Sequence, residues 1–460
     1  MDYISTRGKG EPYSSARAIL QGLAPDGGLF APRALPALPP LRAGAYAQTA
    51  AAVMSLFFGD LPGIDDMCRK AYACPPFDTP AIAPLNGDVL ELFHGPTCAF
   101  KDMALQVLPF LMSAARDTLG ISEDILILTA TSGDTGKAAL EAFADKPGVK
   151  ILVFYPLRGV SPMQQLQMTT QEGANVRVCA VNGNFDDTQS AVKAIFDSPS
   201  FAQKAKEAGT RLSSANSINI GRLIPQIAYY AHAYNLSGCK DGEKVNFCVP
   251  TGNFGNILAG LYAKLMGLPI GKLLCASNEN RVLTDALTTG EYNAGREFRV
   301  TYSPSMDILV SGNFERALFL LSGGDAGLTA SLMARLREER RYTVPPELLG
   351  KLREHFAAYS CTDAETLEEI ALTGADPHTA VALRALRRHR EQTGDGTKTI
   401  VLGTASCYKF LETMRKAGLA PDESRMPRKL KEAANKPARF TGFAEKGDLP
   451  RVAEDFMRGG

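Results

Sequence analysis

Tryptophan is absent from the 460 residues, and histidine occurs only five times. The histidines are dispersed, and the nine cysteines are scattered without a Cys-x-x-Cys pair. This spacing excludes a zinc motif and a disulfide framework, and it fits reduced thiols in the cytoplasm. An excess of either charge is lacking too. Fifty basic residues against 49 acidic ones leave a formal charge of +1, which gives no electrostatic hold on nucleic acid or an acidic membrane surface. No apolar run reaches the length that crosses a bilayer. The opening Met1-Asp2-Tyr3-Ile4-Ser5-Thr6-Arg7 lacks the basic-then-apolar order of a secretion signal. Internal repeats and low-complexity tracts are missing. What is left, 45% hydrophobic and 22% charged residues, is the composition of a soluble globular protein long enough for two or three domains.

Alternation of apolar runs with helical patterns sets the expected fold class, α/β with two open parallel-sheet domains. Residues 1–85 mix short apolar runs, Gly/Pro turns and an alanine-rich helix from Ala45 to Phe58, and read as an N-terminal α/β module. Residues 121–235 read as a small domain. Its strands fall at Asp124 to Ala130, Val149 to Tyr155 and Asn175 to Ala180, and helices at Ser161 to Thr170 and Asn182 to Phe196 lie between and after them. Residues 86–120 and 236–460 read as a large domain, with strands at Val89 to Phe93, Val245 to Pro250, Lys272 to Ala276 and Thr399 to Gly403. A charged helical insertion is expected at about 313–373, with one helix running from Pro346 to Ala358. The last fifty residues, rich in proline, lysine and arginine, are expected on the surface.

Chemistry-bearing residues gather where strands give way to helices. Lys101 follows the strand candidate Val89 to Phe93 and the turn Gly95-Pro96, and it precedes a helical pattern from Met103. A helix start and apolar neighbours both disfavour a charged amine, and only a neutral lysine attacks an aldehyde. Thr131-Ser132-Gly133-Asp134-Thr135-Gly136 links a strand to a helix N-terminus, a ready anion site. Thr251-Gly252-Asn253-Phe254-Gly255-Asn256 reads as a phosphate cradle or as a plain turn; it has neither Gly-x-Gly-x-x-Gly nor Gly-Lys-Ser/Thr. Ser214 to Arg222 offers hydroxyls, amides and one arginine at a helix start, either for a phosphate dianion or as a cap with a solvated arginine. Thr404 ends the last strand. All of these lie at carboxyl ends of parallel strands, where open α/β sheets bind ligands. A cofactor bearing both an aldehyde and a phosphate would use the lysine and the cradle together; pyridoxal phosphate is that cofactor.

Five segments, in order, resemble the threonine synthase family, fold type II pyridoxal-phosphate enzymes. They are His94-Gly95-Pro96-Thr97 to Phe100-Lys101-Asp102, Thr129 to Gly136, Asn216-Ser217-Ile218-Asn219, Gly252-Asn253-Phe254-Gly255-Asn256 and Asp376-Pro377-His378-Thr379-Ala380. The resemblance implies that Lys101 holds the cofactor as a Schiff base and moves protons. It implies that Gly252, Asn253, Phe254, Gly255 and Asn256 bind the cofactor phosphate, and that Thr404 meets the pyridine nitrogen. Asp134 is implied beside the phenolic oxygen, a position where many relatives carry asparagine and where a carboxylate would need a shared proton. Thr131, Ser132 and Thr135 are implied for the substrate carboxylate, and Asn216, Ser217 and Arg222 for its phosphate, with Asn253 assisting. No metal is implied. The implied reaction converts O-phospho-L-homoserine and water to L-threonine and phosphate, by a monomer or homodimer.

One departure stands out. After the strand-end threonine some relatives continue His-Pro-Ala-Lys-Phe, whereas this chain has Ser406-Cys407-Tyr408-Lys409-Phe410. His94 and His378 are expected in capping or packing roles. Two other readings stay open: another lyase of the same fold, such as a serine or threonine dehydratase or a cysteine synthase, and a non-catalytic binding protein of threonine-synthase type.

Overall fold

Tyr3 and Phe30 draw the start of the chain into an antiparallel ribbon, β1 (Tyr3–Ser5) against β2 (Phe30–Pro32), with both side chains fully buried. The computed structural model describes residues 1–8, 10–40, 44–157 and 159–459. Helices Ser15–Gln21, Tyr46–Phe57 and Ile64–Ala71 complete the N-terminal module. The first is capped by the Ser14 side chain, which accepts the Arg17 N–H. The chain then forms β3 (Leu85–Asn86) and, antiparallel to it, β4 (Val89–Glu91).

Continuous apolar runs make the next strands, as expected for parallel strands covered on both faces. β5 (Asp124–Ala130), β6 (Val149–Pro156), β7 (Val176–Val181) and β8 (Thr210–Ser213) form a parallel sheet in the order β7-β6-β5-β8. β9 (Val245–Pro250) and β10 (Ile270–Ser277) return to the first sheet. A ribbon of β11 (Glu291–Asn293) and β12 (Arg341–Thr343) follows, then β13 (Phe356–Ser360) and β14 (Thr399–Gly403). The large sheet has the order β13-β10-β9-β14-β4-β3, parallel except at β3. β9 and β14 are buried along their whole length, with Ile400 beside Phe247 and Leu402 beside Leu90 in neighbouring strands. One face of the large sheet is sealed by Val381, Ala382 and Ala385 of helix Pro377–Thr393, packed on Cys248, Leu274 and Val401.

Two expectations need correction. The segment after His355 is not helical: Phe356-Ala357-Ala358-Tyr359-Ser360 is the edge strand β13, and β12 also falls inside the supposed helical insertion. Alanine favours a helix locally, but pairing with β10 and burial of Phe356 override that weak preference. The tail does not belong with the large sheet either. β15 (Phe443–Ala444) pairs in parallel with β7, and helix Leu449–Met457 packs Leu449, Ala453, Phe456 and Met457 onto Leu126, Leu128 and Phe154 of the small sheet. Its charged residues hid an amphipathic helix within a polar average.

Helix Gly255–Leu265 presses against helix Ile227–Leu236 at Gly260, where a Cβ would stand 2.7 Å from Cε1 of Tyr230 and 2.9 Å from Cδ2 of Leu273. Both neighbours are fully buried. Gly260→Ala should therefore lower the chemical-denaturation midpoint, by a free-energy loss of about 1–3 kcal/mol typical of overpacking.

Candidate active site

The loop that delivers Lys101 is folded against the residue that follows it. Asp102, fully buried at the start of helix Asp102–Leu105, accepts the N–H and the hydroxyl of Thr97, each at 2.8 Å. Gly95 is the residue that permits this approach, since a Cβ there would lie 2.5 Å from the Asp102 side chain. Burial pushes the Asp102 carboxyl up to about 7, against the Thr97 bonds that favour its ionised form. The loop is also tied to the segment after β14: the Phe100 N–H donates to the Thr404 carbonyl at 2.8 Å, and the Ser406 N–H to that of Cys98 at 3.1 Å. Lys101 thus projects from a braced loop. Its Nζ lies 4.5 Å from the centre of the Phe100 ring and 3.9 Å from Oδ2 of Asp134. Burial is the main cause that lowers its pKa to about 8, and the positive charges of Arg222 and Lys409 add to it.

Asp134 begins helix Asp134–Phe143 after β5. The turn before it is closed by Thr131, whose hydroxyl oxygen accepts the N–H groups of Gly133 at 3.0 Å and Gly136 at 2.8 Å. Gly133 has φ +135°, and a Cβ there would lie 2.5 Å from the Gln164 amide. Gln164 donates to Oδ1 of Asp134 at 2.8 Å, the Ser305 hydroxyl to Oδ2 at 3.2 Å, and Lys409 Nζ contacts Oδ1 at 2.7 Å. Burial alone would raise this carboxyl, but Lys409 and then Lys101 hold it well below the usual carboxylate range. The nearby ammonium of Lys409 thus favours the ionised form of Asp134.

After β9 the backbone turns directly into a helix start, a geometry that suits an anion. Phe254 adopts φ +61° and helix Gly255–Leu265 starts at once, so its first N–H groups have no intrahelical partner. The loop is clamped from outside. The Ser311 hydroxyl donates to the Gly252 carbonyl at 2.8 Å, the Gly312 N–H to Oδ1 of Asn253 at 2.6 Å, and Nδ2 of Asn253 to the Ser217 hydroxyl. Both polar atoms of the Asn253 side chain are thus committed to the clamp. Tyr229 and Tyr230 donate to Oδ1 of Asn256 at 2.6 and 2.9 Å, while its Nδ2 is buried without a partner.

Arg222 is not a solvated cap residue. It is 2% exposed, donates through Nη1 to the Ala215 carbonyl at 2.5 Å, and leaves Nε without a partner among the described residues. No carboxylate lies within salt-bridge distance among the described residues, and burial lowers its pKa to about 10. Oδ1 of nearby Asn216 is likewise buried and unpartnered. The capping duty falls to Asn219, which accepts the Gly221 N–H at 2.9 Å and donates to Ile19 of the N-terminal module at 2.9 Å.

All fourteen residues singled out in the sequence line one cavity of about 610 Å³: Lys101, Thr131, Ser132, Asp134, Thr135, Asn216, Ser217, Arg222, Gly252, Asn253, Phe254, Gly255, Asn256 and Thr404. His378 joins them; its Nε2 accepts the Ser305 N–H at 3.1 Å and its Nδ1 faces Asp376 at 3.0 Å. His94 is elsewhere, bonded to Asp78 and Glu91 at 2.7 Å each. Lys409, Gln164 and Ser305 were missed. Lys409 alone left a trace, a lysine between Tyr408 and Phe410 after the strand-end threonine. The cavity suits a phosphate ester carrying an aldehyde: a lysine of lowered basicity, a helix N-terminus, and buried donors on Asn256 and Arg222 that await acceptors.

A buried, uncompensated cation costs stability unless an anion binds it. Arg222→Met should leave the melting temperature of the ligand-free protein unchanged or raise it, while the stabilisation that inorganic phosphate gives the parent protein disappears. Thermal unfolding with and without phosphate measures both.

Family profiles agree with this geometry. Residues 2–72 match "Threonine synthase N terminus", residues 89–404 match "Pyridoxal-phosphate dependent enzyme", and residues 379–454 match "Threonine synthase, C-terminal". Threonine synthase of Pseudomonas aeruginosa is 40% identical over 438 residues, covering 91% of each chain. That of Saccharomyces cerevisiae is 34% identical over 500 residues, covering 98% of this chain and 96% of its own. Threonine synthase-like 1 of Homo sapiens is 39% identical over 434 residues, and the match spans 87% of this chain but only 58% of the human one. A crystal structure of PLP-bound threonine synthase from Brucella melitensis superimposes with a TM-score of 0.89 at 37% identity, covering 100% and 99% of the two chains. The chain belongs to the threonine synthase family of pyridoxal-phosphate-dependent enzymes.

Proposed function

We propose that the protein is a lyase converting O-phospho-L-homoserine and water to L-threonine and phosphate, the last step of threonine biosynthesis. The observation that carries this reading is Arg222, a buried cation without a carboxylate partner among the described residues, in the cavity that also holds Lys101. Dehydratase and cysteine synthase substrates without a phosphate would leave that charge unmatched.

Lys101 would hold the cofactor as a Schiff base in a fold type II site, the cradle at Gly252 to Asn256 would take its phosphate, and Thr404 and Asp134 would face its ring. When bound, the cofactor supplies an electron sink that makes the substrate α-proton acidic. The Lys101 amine, kept weakly basic by burial, then removes that proton and carries protons between neighbouring carbons. Thr131 spends its oxygen on the Gly133 and Gly136 amides but keeps its O–H to donate, and with Ser132 and Thr135 it would take the substrate carboxylate. Ser217 accepts from Asn253 and Asn313, so its free O–H, the Asn216 amide and Arg222 would hold the departing phosphate. Charge that develops on that group meets donors already in place. Free cysteines, most of them buried, suit a reducing cytoplasm, and the protein works as a monomer or homodimer.

Purified protein should release phosphate from O-phospho-L-homoserine and form threonine, with little turnover of serine or threonine. Preference for serine or threonine would make it a dehydratase, and no turnover of any of them would favour the binding-protein reading. Lys101→Ala should abolish turnover together with the visible band near ~410 nm expected of the Schiff base. Arg222→Met should lower kcat/KM for the phosphate substrate on the order of 10²-fold, the scale for removing one partner of a buried charge pair.

A further inference from the structure

Asp134 stands between two lysines. Lys409 Nζ is 2.7 Å from Oδ1 and Lys101 Nζ is 3.9 Å from Oδ2. One carboxylate offsets one positive charge, and geometry decides which. The Lys409 side chain is fully buried and also donates to the Thr97 carbonyl at 3.0 Å, so its ammonium sits between two acceptors. The Lys101 side chain is 13% exposed and opens on the cavity. Lys409 is anchored on both domains as well. Its carbonyl accepts the Ser161 hydroxyl at 3.1 Å, and its N–H donates to the carbonyl of Ser406, in the segment that follows the strand-end Thr404.

We propose that Lys409 is the fixed counter-charge of the site: it claims the Asp134 carboxylate, so that Lys101 is the lysine that gives up its proton and reacts. The inference rests on the assignment of Lys101 as the cofactor-bearing residue. Its neutral amine adds to the aldehyde carbon, a carbon–nitrogen bond forms, and both amine hydrogens leave with the aldehyde oxygen as water. The other ionisable groups that face the pair do not substitute for Lys409. Arg222 adds positive charge beside Lys101, Asp102 spends both oxygens on Thr97, and His378 is engaged by Asp376 and the Ser305 amide. Lys409 is thus a positioning residue, acting on Lys101 through Asp134. The lowering of the Lys101 pKa to about 8 agrees with this arrangement.

The test follows colour rather than turnover. Pyridoxal phosphate is added to the full-length protein freed of cofactor, and the growth rate of the visible band is recorded against pH. For the parent protein the rate should rise with pH and level off above a midpoint near 8. In Lys409→Met the freed carboxylate falls to Lys101, holds its proton, and should raise the midpoint by one unit or more, which makes the reaction at neutral pH at least ~10-fold slower. Lys409→Gln keeps a hydrogen-bond donor while losing the charge and should shift the same way, which covers the case in which the methionine variant does not fold. Lys409→Arg should keep the parent midpoint. A folded, charge-free variant with an unchanged or lowered midpoint, or an arginine variant that shifts like methionine, overturns the proposal. Lys101→Ala should show no band at any pH; a band there would overturn the assignment of Lys101 instead.

Discussion

Parallel strands share one direction, so the loops that leave their carboxyl ends emerge on one rim. That constraint governs this molecule. β4, β14 and β9 are neighbours in the large sheet, and the loops after them carry Lys101, Thr404 and the cradle at Gly252. β5 and β8 are neighbours in the small sheet, and the loops after them carry Asp134 and the Asn216–Arg222 cluster. Two rims facing one another enclose the cavity. The residues that line it are distant in sequence, and strand direction converts that separation into adjacency.

The join between the rims is polar and fully engaged. Asp134 on the small domain receives Lys409 and Ser305 from the large one and Gln164 from its own. Such a buried network is favourable only when every member is satisfied. Asn256, Asn216 and Arg222, which line the cavity, each keep a buried polar atom without a partner among the described residues.

Local signals were legible in the sequence. Apolar runs located β5, β6, β9 and β14, and the loop motifs of the sequence named fourteen residues that the structure gathers into one cavity. Signals that depend on distant partners were not. Ser305 meets Asp134 across 171 positions, and nothing in its loop marks that meeting. Phe356–Ser360 reads as helix until the edge of β10 is present to pair with it. Arg222 reads as a phosphate ligand or as a solvated cap until its burial and its bond to the Ala215 carbonyl are seen. The substitution of Ser406-Cys407-Tyr408 for a histidine-containing pattern drew attention to what was lost, while the lysine retained beside it makes the closest contact with Asp134.

The way β15 seals the small sheet bears on synthesis at the ribosome. β5 to β8 are made early, yet the strand that flanks β7 and the helix that covers Leu126, Leu128 and Phe154 are made last. Until they arrive, a nascent chain displays an unpaired strand edge at Ala180–Val181 beside an apolar face that helices Phe185–Phe196 and Pro199–Glu207 cover only in part, the kind of surface that sticks to other chains. The small domain matures only when the tail returns to it, so a ribosome that stalls short of residue 443 leaves behind a body disposed to clump.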